Sequence, residues 1–257
     1  MKVALALGSG GARGYAHIGV IDELQARGHQ IVGVAGSSMG ALVGGMLAAG
    51  KLDEFSEWAQ ALDQRAVLKL VDLTLHAAGV LRAEKVVDAV RDILGSVLIE
   101  DLDVPFTAVA TDLVAGTSAW LDRGQIADAI RASIAIPGII APHELDRRLL
   151  GDGGILDPTP TAPLAVLAAD LTIAVDLSGL EPVDGDPLPQ FSGLRVADRS
   201  IDIAQAALAR HTLAAYPPDL LIEVPRTVCG TLEFHRAEEV IAVGREIAIT
   251  ALDAEQC

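Results

Sequence analysis

Residues 34–45 read VAGSSMGALVGG, and the reading of this stretch decides the fold. Gly36 and Gly40 stand two positions either side of Ser38 in Gly-x-Ser-x-Gly spacing, with Ser37 as the spacer. The residues before, IVGVA over 31–35, are continuously apolar and predict a buried strand; those after, 39–50, predict a helix ending at Gly50. A serine on a sharp strand-to-helix turn has a strained backbone and a presented hydroxyl, and small neighbours let adjoining segments pass close by. The plain alternative is a tight Gly/Ser turn without chemistry. Small residues at Ala41, Gly44, Gly45 and Ala48 would let the helix lie close on a sheet, its N-terminus directing partial positive charge at the serine.

Outward from this turn the same alternation continues. Residues 2–7 predict a strand buried on both faces, followed by a glycine loop over 8–14 and a helix from Gly14 to Arg27. Helices are expected at 53–62, 83–94 and 125–133, a strand pair at 106–112 and 117–121, a short strand at 148–150 and a buried strand at 171–176. Helix, strand (219–224) and helix (236–251) finish the chain, after a surface loop of linker composition from Pro182 to Pro189. Apolar strands alternating with helices imply a mostly parallel sheet covered on both sides.

The chain has 257 residues, 51% hydrophobic and 21% charged, enough for a sizeable core. Its formal charge of −16 argues against nucleic acid, which needs a basic face, and against a basic patch for anionic lipid. Any membrane contact is therefore expected to be peripheral and apolar. The opening MKVALALGSGG is too short an apolar run for a secretory leader, and no run of about 18 apolar residues predicts a span. Cys229 and Cys257 give neither a disulfide framework nor a metal spacing. A cytoplasmic location is expected.

The glycine loop, Gly8-Ser9-Gly10-Gly11-Ala12-Arg13-Gly14, fails as a dinucleotide site because Arg13 stands where a small residue is needed. No acidic residue ends the second strand, and Gly-Lys-Ser/Thr is absent. Beside a nucleophile, such a loop suits acyl transfer, in which backbone N–H groups meet the charge developing on a carbonyl oxygen. Gly10 and Gly11 are the expected donors, and Arg13 would pin the loop. A serine also needs a base. His17 reads as a structural histidine in the first helix, and His235 as a capping or surface residue. Asp152, at the end of a short strand and before Gly153 and Gly154, is a carboxylate presented at a strand edge, although Asp-Gly-Gly alone is commonly a turn.

Three ordered motifs, residues 8–14, Gly36–Gly40 and Asp152–Gly154, resemble the patatin-like phospholipase family, in its small bacterial branch similar to the neuropathy target esterase catalytic domain. Supporting text lies at Ala110–Leu113, Arg131–Gly138 and Asp157–Pro160. The resemblance covers 1–178, expected as the catalytic domain, and more weakly Leu232–Ile241. Residues 179–257 are expected as a helix-strand-helix extension packed on the same domain. It implies a three-layer α/β/α fold, hydrolysis of an acyl-lipid substrate through an acyl-enzyme, and no metal or cofactor. Carried over by position, Ser38 is the nucleophile, Asp152 the base, and Gly10 and Gly11 the oxyanion hole supported by Arg13. Gly8, Gly14, Gly36, Gly40, Gly153 and Gly154 are motif positions. The sequence departs from the pattern at Ser9, where many members have glycine, and at Asp146-Arg147, where Asp-Gly is usual.

Two other readings stay open. One is an α/β-hydrolase with a Ser-Asp-His triad using His211 or His235, against which only two strands fit before the serine. The other is a catalytically silent lipid-binding regulator. Ile134, Ile136, Ile139 and Ile140 would line an acyl groove or form a core turn, and residues 64–82, with little pattern, are candidates for a lid. Oligomeric state is open.

Overall fold

A computed structural model describes residues 1–70, 84–179 and 193–255. The Pro182–Pro189 loop, most of the lid candidate and Cys257 lie outside the described residues. Among the described residues eight strands form one sheet: β1 (Lys2–Leu7), β2 (Gln30–Ser37), β3 (Phe106–Asp112), β4 (Thr117–Leu121), β5 (His143–Leu145), β6 (Arg148–Asp152), β7 (Leu171–Gly179) and β8 (Leu220–Pro225). The helices are α1 (Ala16–Ala26), α2 (Met39–Ala48), α3 (Leu52–Gln60), α4 (Gln64–Leu70), α5 (Glu84–Leu94), α6 (Ile126–Ser133), α7 (Gly193–Ala215) and α8 (Ala237–Glu255).

The sheet order is β5-β6-β3-β2-β1-β7-β8, with β4 also on β3. The four pairings from β3 to β8 along this path are parallel; β4, β5 and β6 join antiparallel. Alternation along β1 sorts the two faces. Val3, Leu5 and Leu7 enter the larger core with residues of α1, α2, α6 and α8. Ala4 and Ala6 face the other way, with Ala35, Ala174 and Leu164, where Leu213 of α7 packs. Side chains point alternately to opposite faces of a strand, so a continuously apolar sequence such as VALAL over residues 3–7 fits only where both faces are covered. The result is the expected α/β/α layering around a mostly parallel sheet. Among the described residues no helix is long and apolar enough to cross a membrane.

Two local expectations are corrected. Gln64–Leu70 is helical rather than patternless, its start held by Asp63 Oδ1 accepting from Ala66 N at 2.6 Å. The first helix begins at Ala16 instead of Gly14, because Gly11–Tyr15 forms a 3-10 turn first. The β5–β6 hairpin turns on Asp146 and Arg147, both left-handed (φ 50° and 62°), a conformation that Asn, Asp or Gly adopts more easily than arginine. The departure noted in the sequence therefore falls on a strained turn position.

Candidate active site

The register of β3 brings the site together. Ala108 pairs with Gly36 of β2 on one side and Leu121 of β4 on the other. Ala110 pairs with Asp152 of β6 and with Ala119 of β4. Because β4 occupies one edge of β3 throughout, β2 and β6 share the opposite edge in succession. Val109 faces Ser37, the last residue of β2, and Ala110 faces Asp152, the last residue of β6. Two residues 114 apart in sequence are thus delivered to one point.

At that point Ser38 Oγ donates to Asp152 Oδ2 at 2.5 Å, with both side chains buried. The other carboxylate oxygen, Oδ1, accepts from Gly154 N at 2.8 Å, and Asp152 O accepts from Thr111 Oγ1 at 2.9 Å. Burial pushes the Asp152 carboxyl up to about 6, against the opposing pull of the Ser38 and Gly154 hydrogen bonds. It is consequently ionised at neutral pH, yet more basic than an exposed carboxylate. Ser37, the neighbouring serine, is engaged elsewhere: its Oγ donates to Asp157 O at 2.7 Å. The two adjacent hydroxyls are separated by the turn itself.

Ser38 has φ 56° and ψ −122°, a conformation that costs a non-glycine residue strain and persists only where surroundings enforce it. Here the enforcement is visible. Ser38 N donates to Ser133 Oγ at 2.8 Å, and Ser133 Oγ donates to Val109 O at 2.6 Å. A side chain at Gly36 would strike the carbonyl of Gly40, and one at Gly40 the carbonyl of Leu7, so only hydrogen fits on either side of the turn. Gly153 and Gly154 are equally crowded, the first against Val109 O and the second against Ser9 and Gln205.

The glycine loop crosses the top of β1. Gly8 N donates to Val175 O, Ser9 N to Pro158 O and Ala12 N to Thr231 O, at 2.7–2.9 Å. Among the described residues no acceptor takes the N–H of Gly10 or Gly11. These two unengaged amides lie between three anchored ones, with Gly11 at φ 57°. Arg13 Nε donates to Gly10 O at 3.1 Å from a buried side chain. His17 Nε2 bonds Gly8 O at 2.8 Å, and burial holds this imidazole down at about 4, neutral under the loop. Gly14 lies against Met39.

Gly11 and Ser38 both line a cavity that is partly open to solvent. Its walls are apolar: Met39 and Leu42 of α2, Phe55 and Trp58 of α3, Val86 of α5, Ile134, Ile136, Ile139 and Ile140 after α6, and Leu232 and Phe234 before α8. The four isoleucines that the sequence left between groove and core line this groove. Tyr15, Phe55, Trp58 and Phe234 form a connected aromatic group with ring centroids 5.8–6.3 Å apart.

A family model described as patatin-like phospholipase matches residues 5–165, a stretch that contains Ser38, Asp152, Ser133, Thr111 and the glycine loop, while Val175, Gln205, Thr231 and the C-terminal cavity wall lie beyond it. The chain belongs to the patatin-like phospholipase family. An uncharacterized NTE family protein of Mycobacterium tuberculosis is 52% identical, covering 98% of this chain and 92% of that protein. Neuropathy target esterase sws of Drosophila melanogaster is 30% identical over 71% of this chain and 13% of its own. The crystal structure of VipD from Legionella pneumophila overlays with a TM-score of 0.53 at 15% identity, covering 98% of this chain and 66% of that one, a likeness of fold. Membership of the patatin-like family implies a lipid ester hydrolase.

Within that patatin-like frame, sequence reasoning missed Ser133, Thr111 and Thr231. Ser133 sits in the quoted Arg131–Gly138 text, but a serine late in an amphipathic helix carries no signal that it will brace a turn 95 residues away. The histidines of the triad alternative are exposed: His211 lies on α7 and His235 just before α8. Among the described residues neither hydrogen-bonds to Ser38 or Asp152.

Proposed function

We propose that the protein is a serine hydrolase of lipid acyl esters, of phospholipase A or lysophospholipase type, acting through Ser38 and Asp152 by way of an acyl-enzyme. The observation that carries this reading is the 2.5 Å hydrogen bond from Ser38 Oγ to the raised carboxylate of Asp152, on the wall of an apolar cavity. Asp152 takes the Ser38 proton as Oγ attacks the ester carbonyl carbon. The oxyanion is received by the N–H groups of Gly10 and Gly11, with Arg13 holding their loop. Collapse breaks the ester C–O bond, and Asp152 returns the proton to the departing alcohol. Water then gives a proton to Asp152 while its oxygen attacks the acylated Ser38, and the second collapse restores the hydroxyl and releases the carboxylic acid.

The acyl chain occupies the cavity, which offers it methyl, methylene and ring surface, and the leaving group faces solvent. A chain with net charge −16 meets lipid through apolar contact rather than a basic patch. The test is hydrolysis of straight-chain esters from acetyl to palmitoyl by wild type and Ser38→Ala. Activity should rise with chain length and vanish in the variant. Equal activity across the series would remove the lipid substrate, and an unaffected variant would remove the nucleophile.

A further inference from the structure

The glycine loop is held from a part of the chain beyond residues 5–165. Arg13 is 4% exposed, and its guanidinium makes three bonds. Nε donates to Gly10 O at 3.1 Å, while Nη2 donates to Asp202 Oδ1 and to Thr231 Oγ1, each at 3.3 Å. Gly10 O and Gly11 N belong to one planar trans peptide, in which C=O and N–H point in opposite directions. A donor fixed on Gly10 O therefore aims Gly11 N–H the other way. The next peptide is fixed by Ala12 N donating to Thr231 O at 2.9 Å. Asp202, on α7, is itself tied down: its carbonyl accepts from Arg226 Nη2 at 3.2 Å, and Arg226 Nε donates to Ser178 O at the end of β7 at 3.1 Å. Nearly one turn further along α7, Gln205 stands beside Ser9 and Gly154.

We propose that Asp202 is a positioning residue for the Gly10–Gly11 peptide, acting through Arg13, with Thr231 as its second holder. The inference rests on the reading of this loop as the oxyanion hole. A buried guanidinium deprived of its counter-charge loses the geometry that fixes Gly10 O. The amide of Gly11 is then no longer aimed when the substrate oxygen becomes negative. Such a loss is felt in the transition state and not in substrate binding.

The experiment uses Asp202→Asn, which keeps the shape and removes the charge, and Thr231→Val. For each, kcat and KM are measured on a long-chain ester, together with the rate of Ser38 phosphonylation by a fluorophosphonate and the Tm before and after phosphonylation. The expected result for Asp202→Asn is a kcat lower by about tenfold or more at nearly unchanged KM. Phosphonylation should slow by a similar factor, with a smaller Tm gain on adduct formation, because the phosphoryl oxygen occupies the oxyanion position. Thr231→Val should show the same pattern more weakly, and it carries the test if Asp202→Asn does not fold. A lower Tm with wild-type kcat and wild-type phosphonylation would make these residues merely structural and overturn the proposal. Wild-type protein that is not phosphonylated at Ser38 would instead remove the hydrolase reading, and this inference with it.

Discussion

Ser38 and Asp152 are braced by groups close by in the fold and inside the family-matched stretch, whereas the Gly10–Ala12 part of the glycine loop beside them is braced, through Arg13 and Thr231, from α7 and the loop before α8. The serine turn is locked from several sides: Ser133 on its amide, Val109 behind Ser133, and backbone against both flanking glycines. Among the described residues the loop has two glycine amides left open, and the Arg13 side chain fixes the peptide between them. Strain at Ser38 is thus contained by close packing, while the aim of the Gly11 amide depends on a relay of polar contacts. Close packing is stiff, and a relay through one guanidinium weakens when any of its members is changed.

The largest effects should come from the braced pair. Ser38→Ala removes the proposed nucleophile and should lower kcat/KM by at least about 10⁴-fold, with Asp152→Asn close behind at about 10³- to 10⁴-fold. Stability separates the second variant from a folding defect. Folding raises the Asp152 carboxyl from 3.8 to about 6, so its contribution favours the native state below pH about 4 and is lost as pH rises through about 6. Asp152→Asn removes that loss. At pH 8 the inactive variant should therefore melt at or above the wild-type Tm, and a marked drop would contradict the assignment.

The same ionisation sets the pH profile. With Asp152 as base, kcat/KM should fall by about tenfold per unit below pH 6 and level off above it. A profile flat down to pH 5 would separate the carboxylate from the chemistry. Smaller still is Ser133→Ala, which leaves Ser38 N–H and Val109 C=O without their partner, at a cost of about 1–3 kcal/mol. For a chain of this size each kcal/mol is worth roughly 2–4 °C in Tm. Activity should drop by about 10- to 100-fold as the turn loosens. Wild-type activity in that variant would show that packing alone holds the turn.

How far the sequence reaches into this site follows from the same contrast. The sheet was legible because its central strands are continuously apolar, a pattern that only a doubly covered strand requires. Strand β5 has three residues, too few for any period, and α4 gives no pattern from its seven residues. The Gly-x-Ser-x-Gly spacing separated Ser38 from Ser37 because the constraint is local: the clashes at Gly36 and Gly40 arise within the turn and against the adjoining strand. Asp152 was legible only in combination, since its partner is supplied by the register of β3. Ser133, Asp202 and Thr231 left no trace in the sequence, because each braces the site through directed polar bonds to groups more than 90 positions away.

The central claim is that a carboxylate, and no histidine, activates Ser38. The most direct measurement is the rate of fluorophosphonate labelling, with the modified residue mapped by mass spectrometry, in wild type, Asp152→Asn, His211→Ala and His235→Ala. The account predicts an adduct on Ser38 that forms at the wild-type rate in both histidine variants and at a small fraction of it in Asp152→Asn. Full-rate labelling of Asp152→Asn, or loss of labelling on removing either histidine, would contradict it.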